Sequence, residues 1–192
     1  DRPFAEVVSA QPHVCAAGHA PKQASTPEYA AVANYGYHFD AGKFGMLLRE
    51  HAVANLHVRH IADDVDQVLS HEDGDIAALR TRAHGDIAGD LFIDCSGMAS
   101  LLIGRHFSIA THSCKPQIFN DTALALQVPY ATPDAPIACE TIATAQTAGW
   151  TWDIGLPTRR GVGLVYSSAH LSHDQAEQQL VAQIRKTGGP HD

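Results

Sequence analysis

Cysteine is scarce: the 192 residues hold four, Cys15, Cys95, Cys114 and Cys139. None sits in a C-x-x-C pair. Four scattered thiols do not form the dense framework of a small secreted domain, so reduced thiols and a cytoplasmic location are expected. Positive charge is scarce too. Thirteen Lys and Arg face 21 Asp and Glu, a net charge of −8 with His neutral. Nucleic-acid binding needs clustered basic residues. Only Arg159-Arg160 and Arg185-Lys186 pair up, and both read as solvated turns or helix ends. No apolar run approaches the roughly 20 residues of a membrane helix, and no basic-then-apolar leader opens the chain. Neither a nucleic-acid nor a membrane partner is expected. The first residue is Asp1 and not Met, so the natural start is expected upstream.

Two motifs are also missing. A nucleotide-binding sheet opens with strand, G-x-G-x-x-G and helix. The nearest approach, Gly161-Val162-Gly163, lacks the third glycine and leads into strand-like sequence. The nucleophile elbow G-x-S-x-G is absent, since Ser96 stands in Cys-Ser-Gly, and a serine hydrolase is not expected. Histidine, by contrast, is abundant at 13 residues. His13, Cys15 and His19 cluster, as do His57 with His60 and His112 with Cys114, but none has a zinc-site spacing. No metal site is expected.

What is present reads as an α/β chain. Residues 1–33 are Ala- and Pro-rich, with irregular backbone and short helices expected, one of them opening at Ser25-Thr26-Pro27-Glu28. Asn34 to Phe39 alternates like a strand, and Asp40 caps a helix over Ala41 to Asn55. Phe44, Leu47, Leu48, His51 and Ala52 share one face of that helix, as a core-packing face would. Short strands are expected at Val58 to Ile61, Asp64 to Ser70 and Ile76 to Arg82. Asp73-Gly74 makes a hairpin turn, and His84-Gly85-Asp86 a second turn. The apolar run Leu91-Phe92-Ile93 within Asp90 to Cys95 fits a strand buried on both faces. A short helix over Ala99 to Gly104 follows.

The last third reads as antiparallel. Thr122, Leu124, Leu126 and Val128 alternate within Asn120 to Tyr130. Strands are expected at Glu140 to Thr147, Ala148 to Leu156 and Val162 to Ser168, with a turn over Pro157 to Gly161. Ser172-His173-Asp174-Gln175 is a capping box opening a helix to about Thr187, where Gly188-Gly189-Pro190 stops it. Both tryptophans of the chain, Trp150 and Trp152, lie two apart in one strand. With Ile154 they would form one apolar face.

These pieces carry a resemblance. Gly149-Trp150-Thr151-Trp152-Asp153-Ile154 resembles the W-x-W-x-I-P motif of the flavin-dependent tryptophan halogenases, with Gly155 in place of the proline. Tyr37-His38-Phe39-Asp40-Ala41, Asp90-Leu91-Phe92-Ile93-Asp94-Cys95-Ser96-Gly97-Met98, Gln127-Val128-Pro129 and Val165-Tyr166-Ser167-Ser168 match in the same order, from about Asn34 to about Ile184. The resemblance implies the glutathione-reductase-type flavin monooxygenase superfamily. Part of an FAD-binding parallel-sheet domain with an antiparallel meander would adjoin an antiparallel sheet layer with flanking helices. The returning half of the FAD domain would span 34–110, and the substrate-side sheet and C-terminal helix 111–192.

By the same resemblance, Asp64 and Val65 would lie near the adenine end of FAD, and Ser96 and Gly97 near the flavin. Gly97, without a Cβ, would let the backbone come close. Trp150 and Trp152 would line the flavin side. His38 would face the flavin or be a satisfied buried histidine. The activity implied is chlorination or bromination of a tryptophan or indole-like substrate with halide, O2 and reduced FAD, the last supplied by a separate flavin reductase. The family's tunnel lysine would precede this segment and its substrate-side glutamate would follow it. No catalytic residue is therefore expected here, and this segment alone would be inactive and prone to self-association. The alternatives are a non-catalytic truncated remnant and a related FAD-dependent hydroxylase.

Overall fold

The computed structural model describes residues 2–30 and 33–188. The chain divides into two compact units, one of residues 1–44 and 115–192, the other of residues 45–114. The Gly189-Pro190 end of the expected helix stop lies outside the described residues.

The first unit is built on a four-stranded antiparallel sheet. Its strands are β4 (Thr122–Pro129), β5 (Ile142–Gln146), β6 (Gly149–Gly155) and β7 (Arg159–Tyr166), in the order β4-β7-β6-β5. Between β6 and β7 the Leu156 N–H donates to the Arg159 carbonyl at 2.9 Å. Helix α4 (His173–Lys186) covers one face. Its capping box forms as the sequence implies: the Ser172 hydroxyl accepts from the Gln175 N–H, and the Gln175 side chain accepts from the Ser172 N–H. Ala176, Leu180 and Ile184, four apart along the helix, bury against Val128, Val162, Leu164 and Tyr166. Alternation then fixes the opposite face. It carries Ala143 and Ala145, Trp150, Trp152 and Ile154, Gly161, Gly163 and Val165, and Ala123 and Ala125.

Ahead of this sheet stand two short helices, α1 (Phe4–Val8) and α2 (Gln11–Ala16). The stretch Ser25 to Glu28 forms turns and no helix. Helix α3 (Ala41–Asn55) has the expected bounds, with Asp40 Oδ1 accepting from the Gly42 and Lys43 N–H groups at 3.1 and 3.2 Å. Its Leu47 and Leu48 are exposed, so within the described residues its apolar face does not pack as a core face.

The second unit holds an antiparallel meander of β1 (Val65–Ser70), β2 (Ile76–Thr81) and β3 (Gly85–Ala88). Gly74 takes φ +94° in the first hairpin, as the Asp-Gly pair implies. Asp63 fixes the second turn, its Oδ2 accepting from the Ala83 and His84 N–H groups and lying 2.8 Å from His84 Nδ1. The meander is shifted from the sequence reading. Val58 to Ile61 is not a strand, and Gly85 opens β3 where a turn was expected.

Two further strands are absent from the described backbone. Asn34 to Phe39 and Asp90 to Cys95 form no strand. The second has a clear physical cause. A strand buried on both faces needs neighbours on each side. Here Leu91 and Ile93 are 80% and 78% exposed. Exposed apolar side chains of this size are association surfaces. Sedimentation velocity on the isolated chain is therefore expected to show concentration-dependent oligomers. A compact monomer at every concentration would show instead that these side chains find cover within one molecule.

Candidate functional site

The tryptophan face is a consequence of small neighbours. Trp152 stands opposite Ala143 on β5 and Gly163 on β7, and Trp150 opposite Ala145 and Val165. A Cβ on Gly163 would meet the six-membered ring of Trp152 and the Leu124 carbonyl. The glycine is thus a seat whose missing Cβ leaves room for the Trp152 ring. The two indole centroids are 6.1 Å apart with planes tilted by 56°, within the range of favourable aromatic pairs. Trp150 remains 38% exposed, whereas Thr151 on the other face is buried. The strand therefore presents indoles on the face that α4 leaves open.

Across the sheet, Asp153 and Arg160 form a buried ion pair at 2.6 Å. Arg160 Nη1 also donates to the carbonyl and hydroxyl of Thr187, just past α4. The pair clamps the helix end to the face opposite the indoles. Burial pushes the Asp153 carboxyl above its usual range, against the pull of Arg160.

Within the second unit, the loop after Cys95 is organised by a carboxylate. Asp94 Oδ2 accepts from the Leu102 and Ile103 N–H groups, and Asp94 Oδ1 accepts from the Ser96 hydroxyl at 2.5 Å. Ser96 Oγ in turn accepts from the Leu101 N–H at 2.8 Å. The Ser96 hydroxyl, then the amides, hold the Asp94 carboxyl down at about 2. Gly97 takes φ +63° and Ser100 φ +42°. The backbone follows as a 3₁₀ turn over Gly97–Ala99 and a π turn over Leu101–His106, so the short helical piece expected over Ala99 to Gly104 forms with shifted bounds.

Asp64 pairs with Arg82 at 2.7 Å, and Val65 opens β1. Val65 also lines a cavity of about 340 Å³ shared with Leu101, Arg105 and His106. His38, in the first unit, is exposed, with Nε2 3.2 Å from Thr141 Oγ1, and is not a buried core histidine. The structure thus brings Trp150 and Trp152 together. It places Val65 beside the turn that follows Ser96 and Gly97.

Comparison with known proteins fits this arrangement. A family model described as tryptophan halogenase matches residues 1–189. The chain belongs to the tryptophan halogenase family. The 7-chloro-L-tryptophan 6-halogenase KtzR of Kutzneria sp. (strain 744) is 40% identical over 146 residues, which cover 76% of this chain and 28% of that protein. Tryptophan 7-halogenase RebH of Lentzea aerocolonigenes is 34% identical over 178 residues, 93% of this chain and 33% of that protein. Among solved structures, a tryptophan halogenase from Shewanella frigidimarina NCIMB 400 superposes with a TM-score of 0.90 at 48% identity. The match covers 96% of this chain and 35% of that one. The chain spans about a third of the length of the relatives it matches.

Family membership makes the motif's one departure informative. Gly155 stands where the W-x-W-x-I-P motif ends in proline. A Cβ there would sit 2.7 Å from Ile137 Cγ2 and 3.2 Å from the Ala138 carbonyl oxygen, so a side chain at this point requires Ile137 to shift. Three features escaped the sequence reading: the Gly163 seat, the Asp153–Arg160 pair and the Asp94 cap. The first had a signal, since Gly161-Val162-Gly163 puts two glycines on one strand face opposite Ile154 and Trp152.

Proposed function

We propose that this chain is an internal segment of a flavin-dependent halogenase that chlorinates or brominates a tryptophan or indole-like substrate with halide, O2 and reduced FAD. The observation that carries the reading is the pair of indoles on the sheet face that α4 leaves open, in a chain of this family. On this proposal residues 34–110 belong to the returning half of the FAD domain and 111–192 to the substrate-side layer. A separate reductase supplies the reduced flavin.

Fit to FAD differs along the cofactor. A rigid, partly exposed pair of indoles suits a border to the tricyclic ring, and Trp150 and Trp152 would supply it. Gly97, in the left-handed region with open space around its Cα, would let backbone approach. Ser96, Asp64 and Val65 are the remaining proposed contacts. The diphosphate finds no such fit. The amides that could face an anion after Ser100 are already taken by Asp94, Ser96 and Ser100 itself. When bound, reduced FAD supplies the electrons that activate O2 for oxidation of halide. This chain's indoles exclude water beside it and keep the substrate at a distance.

The test has two arms. The isolated chain is expected to bind FAD with a Kd weaker than micromolar by equilibrium dialysis. The longer protein that contains this segment, given a flavin reductase, FAD and halide, is expected to convert tryptophan or an indole into a product with the chlorine or bromine isotope pattern. Hydroxylated product without halogen would overturn the halogenase reading in favour of the hydroxylase. Tight FAD binding by the isolated chain would mean a diphosphate site exists here after all.

A further inference from the structure

We infer that Cys15, Cys139 and Glu140 form a binding site for a thiophilic divalent cation such as Zn2+. Their two sulfurs and a carboxylate oxygen all lie within 4.8 Å of one another. All three residues belong to the first unit. Two ligands are neighbours in sequence, just ahead of β5. The third comes from α2, far off in the chain, which is why local spacing does not find the site.

The fold builds this convergence from short-range rules. Helix α2 ends at Ala16, and Gly18, one residue past the Ala17 cap, takes φ +66°. The Gly18 N–H donates to the Cys15 carbonyl, and the His19 N–H to the Val14 carbonyl, at 2.9 and 3.0 Å. This is the glycine-terminated helix end in which the chain folds back over its last turn. It carries the His19 carbonyl to Cys139, whose thiol lies 2.9 Å from that oxygen and 3.1 Å from Glu140 Oε2. One S–H proton therefore faces two oxygen acceptors. His13, which the sequence places beside Cys15, is turned away, with Nε2 on the Glu6 carbonyl.

Donor chemistry selects the cation. Two thiolates and a carboxylate carry three negative charges, which a divalent ion reduces to one. Thiolates favour Zn2+ and its soft relatives over Mg2+ or Ca2+. With Zn–S near 2.3 Å, tetrahedral donors stand about 3.5–4 Å apart; Cys139 Sγ and Glu140 Oε2, 3.1 Å apart, need only open slightly, and Cys15 needs to approach by roughly 1 Å. Both cysteines are half-buried, while Cys95 and Cys114 are exposed. A fourth position opens on a cavity of about 440 Å³, which His19 and His38 also line. An ion held here would clip α2 to the stretch that leads into β5 and so to the strand beside the tryptophans.

Cadmium is the probe, because its thiolate charge-transfer band reports sulfur ligands and ignores the many histidines. The reduced, metal-free chain is expected to titrate with Cd2+ to one equivalent with a saturating ultraviolet band. C15S and C139S should each weaken binding at least ~10–100-fold, the range seen even for loss of outer-shell partners. C95S and C114S should leave it unchanged. A second readout uses the unaltered chain, so misfolding of a variant cannot mislead. One equivalent of Zn2+ should shield Cys15 and Cys139 from iodoacetamide while Cys95 and Cys114 react. A missing band, a band retained in C15S or C139S, dependence on Cys95 or Cys114, or no selective shielding would each overturn the assignment.

Discussion

Asp153→Ala is expected to destabilise the first unit by about 3–5 kcal/mol, the range for removing one partner of a buried ion pair. The two side chains are only 13% and 10% exposed and touch at 2.6 Å. Removing the carboxylate leaves the Arg160 guanidinium in a poor solvent. Its Nη2 already lacks a partner, and Nη1 would keep only the Thr187 bonds. An unpaired buried charge is what makes the loss large, more than the lost attraction itself. The converse follows from the same desolvation, which also pushes the Asp153 carboxyl upward. Replacing both residues together, as in Asp153→Leu with Arg160→Met, is expected to fall between neutral and mildly stabilising. Urea unfolding followed by circular dichroism reads both. Equal losses in the single and double variants would mean that the pair stabilises the fold on its own account. Little loss in Asp153→Ala would mean that water reaches Arg160.

How much of this could be read from sequence depends on whether a signal was local. The Asp40 cap, the Ser172 capping box and the Asp73-Gly74 turn are decided by residues within four positions of one another. The sequence carried all three. The strands of the second layer were legible because each alternates against a neighbour present in the chain. Asp90 to Cys95 failed for the opposite reason. Its apolar run is right for a doubly covered strand, but the covering elements are not among the described residues, so no strand forms and Leu91 and Ile93 stay exposed. The Asp153–Arg160 pair, seven residues apart on the β6–β7 hairpin, owes its burial to the end of α4 meeting the sheet, and the Cys15–Cys139–Glu140 cluster depends on segments meeting across the fold. Neither charge nor cysteine spacing could announce them. For the tryptophans the sequence supplied the shared face. The Gly163 seat, signalled by Gly161-Val162-Gly163 but not read, distinguishes the two indoles from each other.

That distinction sharpens the second large effect. In the longer protein containing this segment, Trp150→Phe is expected to shift the melting temperature little, and to lower the ratio of halide incorporated to hydrogen peroxide released. Trp150 is 38% exposed on an open face, so trimming its ring removes little buried area. A core tryptophan behaves otherwise, with truncation to alanine costing about 3–5 kcal/mol. Trp152 lies between these limits, because its ring rests on Gly163 and fills a slot that phenylalanine fills only in part. Trp152→Phe should therefore lower the melting temperature by a few degrees and the ratio as well. Under the proposed function both effects on the ratio would have one cause: a narrower wall would admit water beside the flavin and let oxidising equivalents drain to peroxide. A change of about tenfold in that partition corresponds to only about 1.4 kcal/mol in competing barriers, which is within reach of a displaced ring. The measurements are thermal unfolding, halogenated product by mass spectrometry and peroxide by a coupled peroxidase assay, all on the same preparations. A large fall in melting temperature with an unchanged ratio, in both variants, would make the pair a structural element and remove the functional reading of this strand. Unchanged stability with a lowered ratio in Trp150→Phe would instead fix the outer indole as the part of the wall that acts on the chemistry.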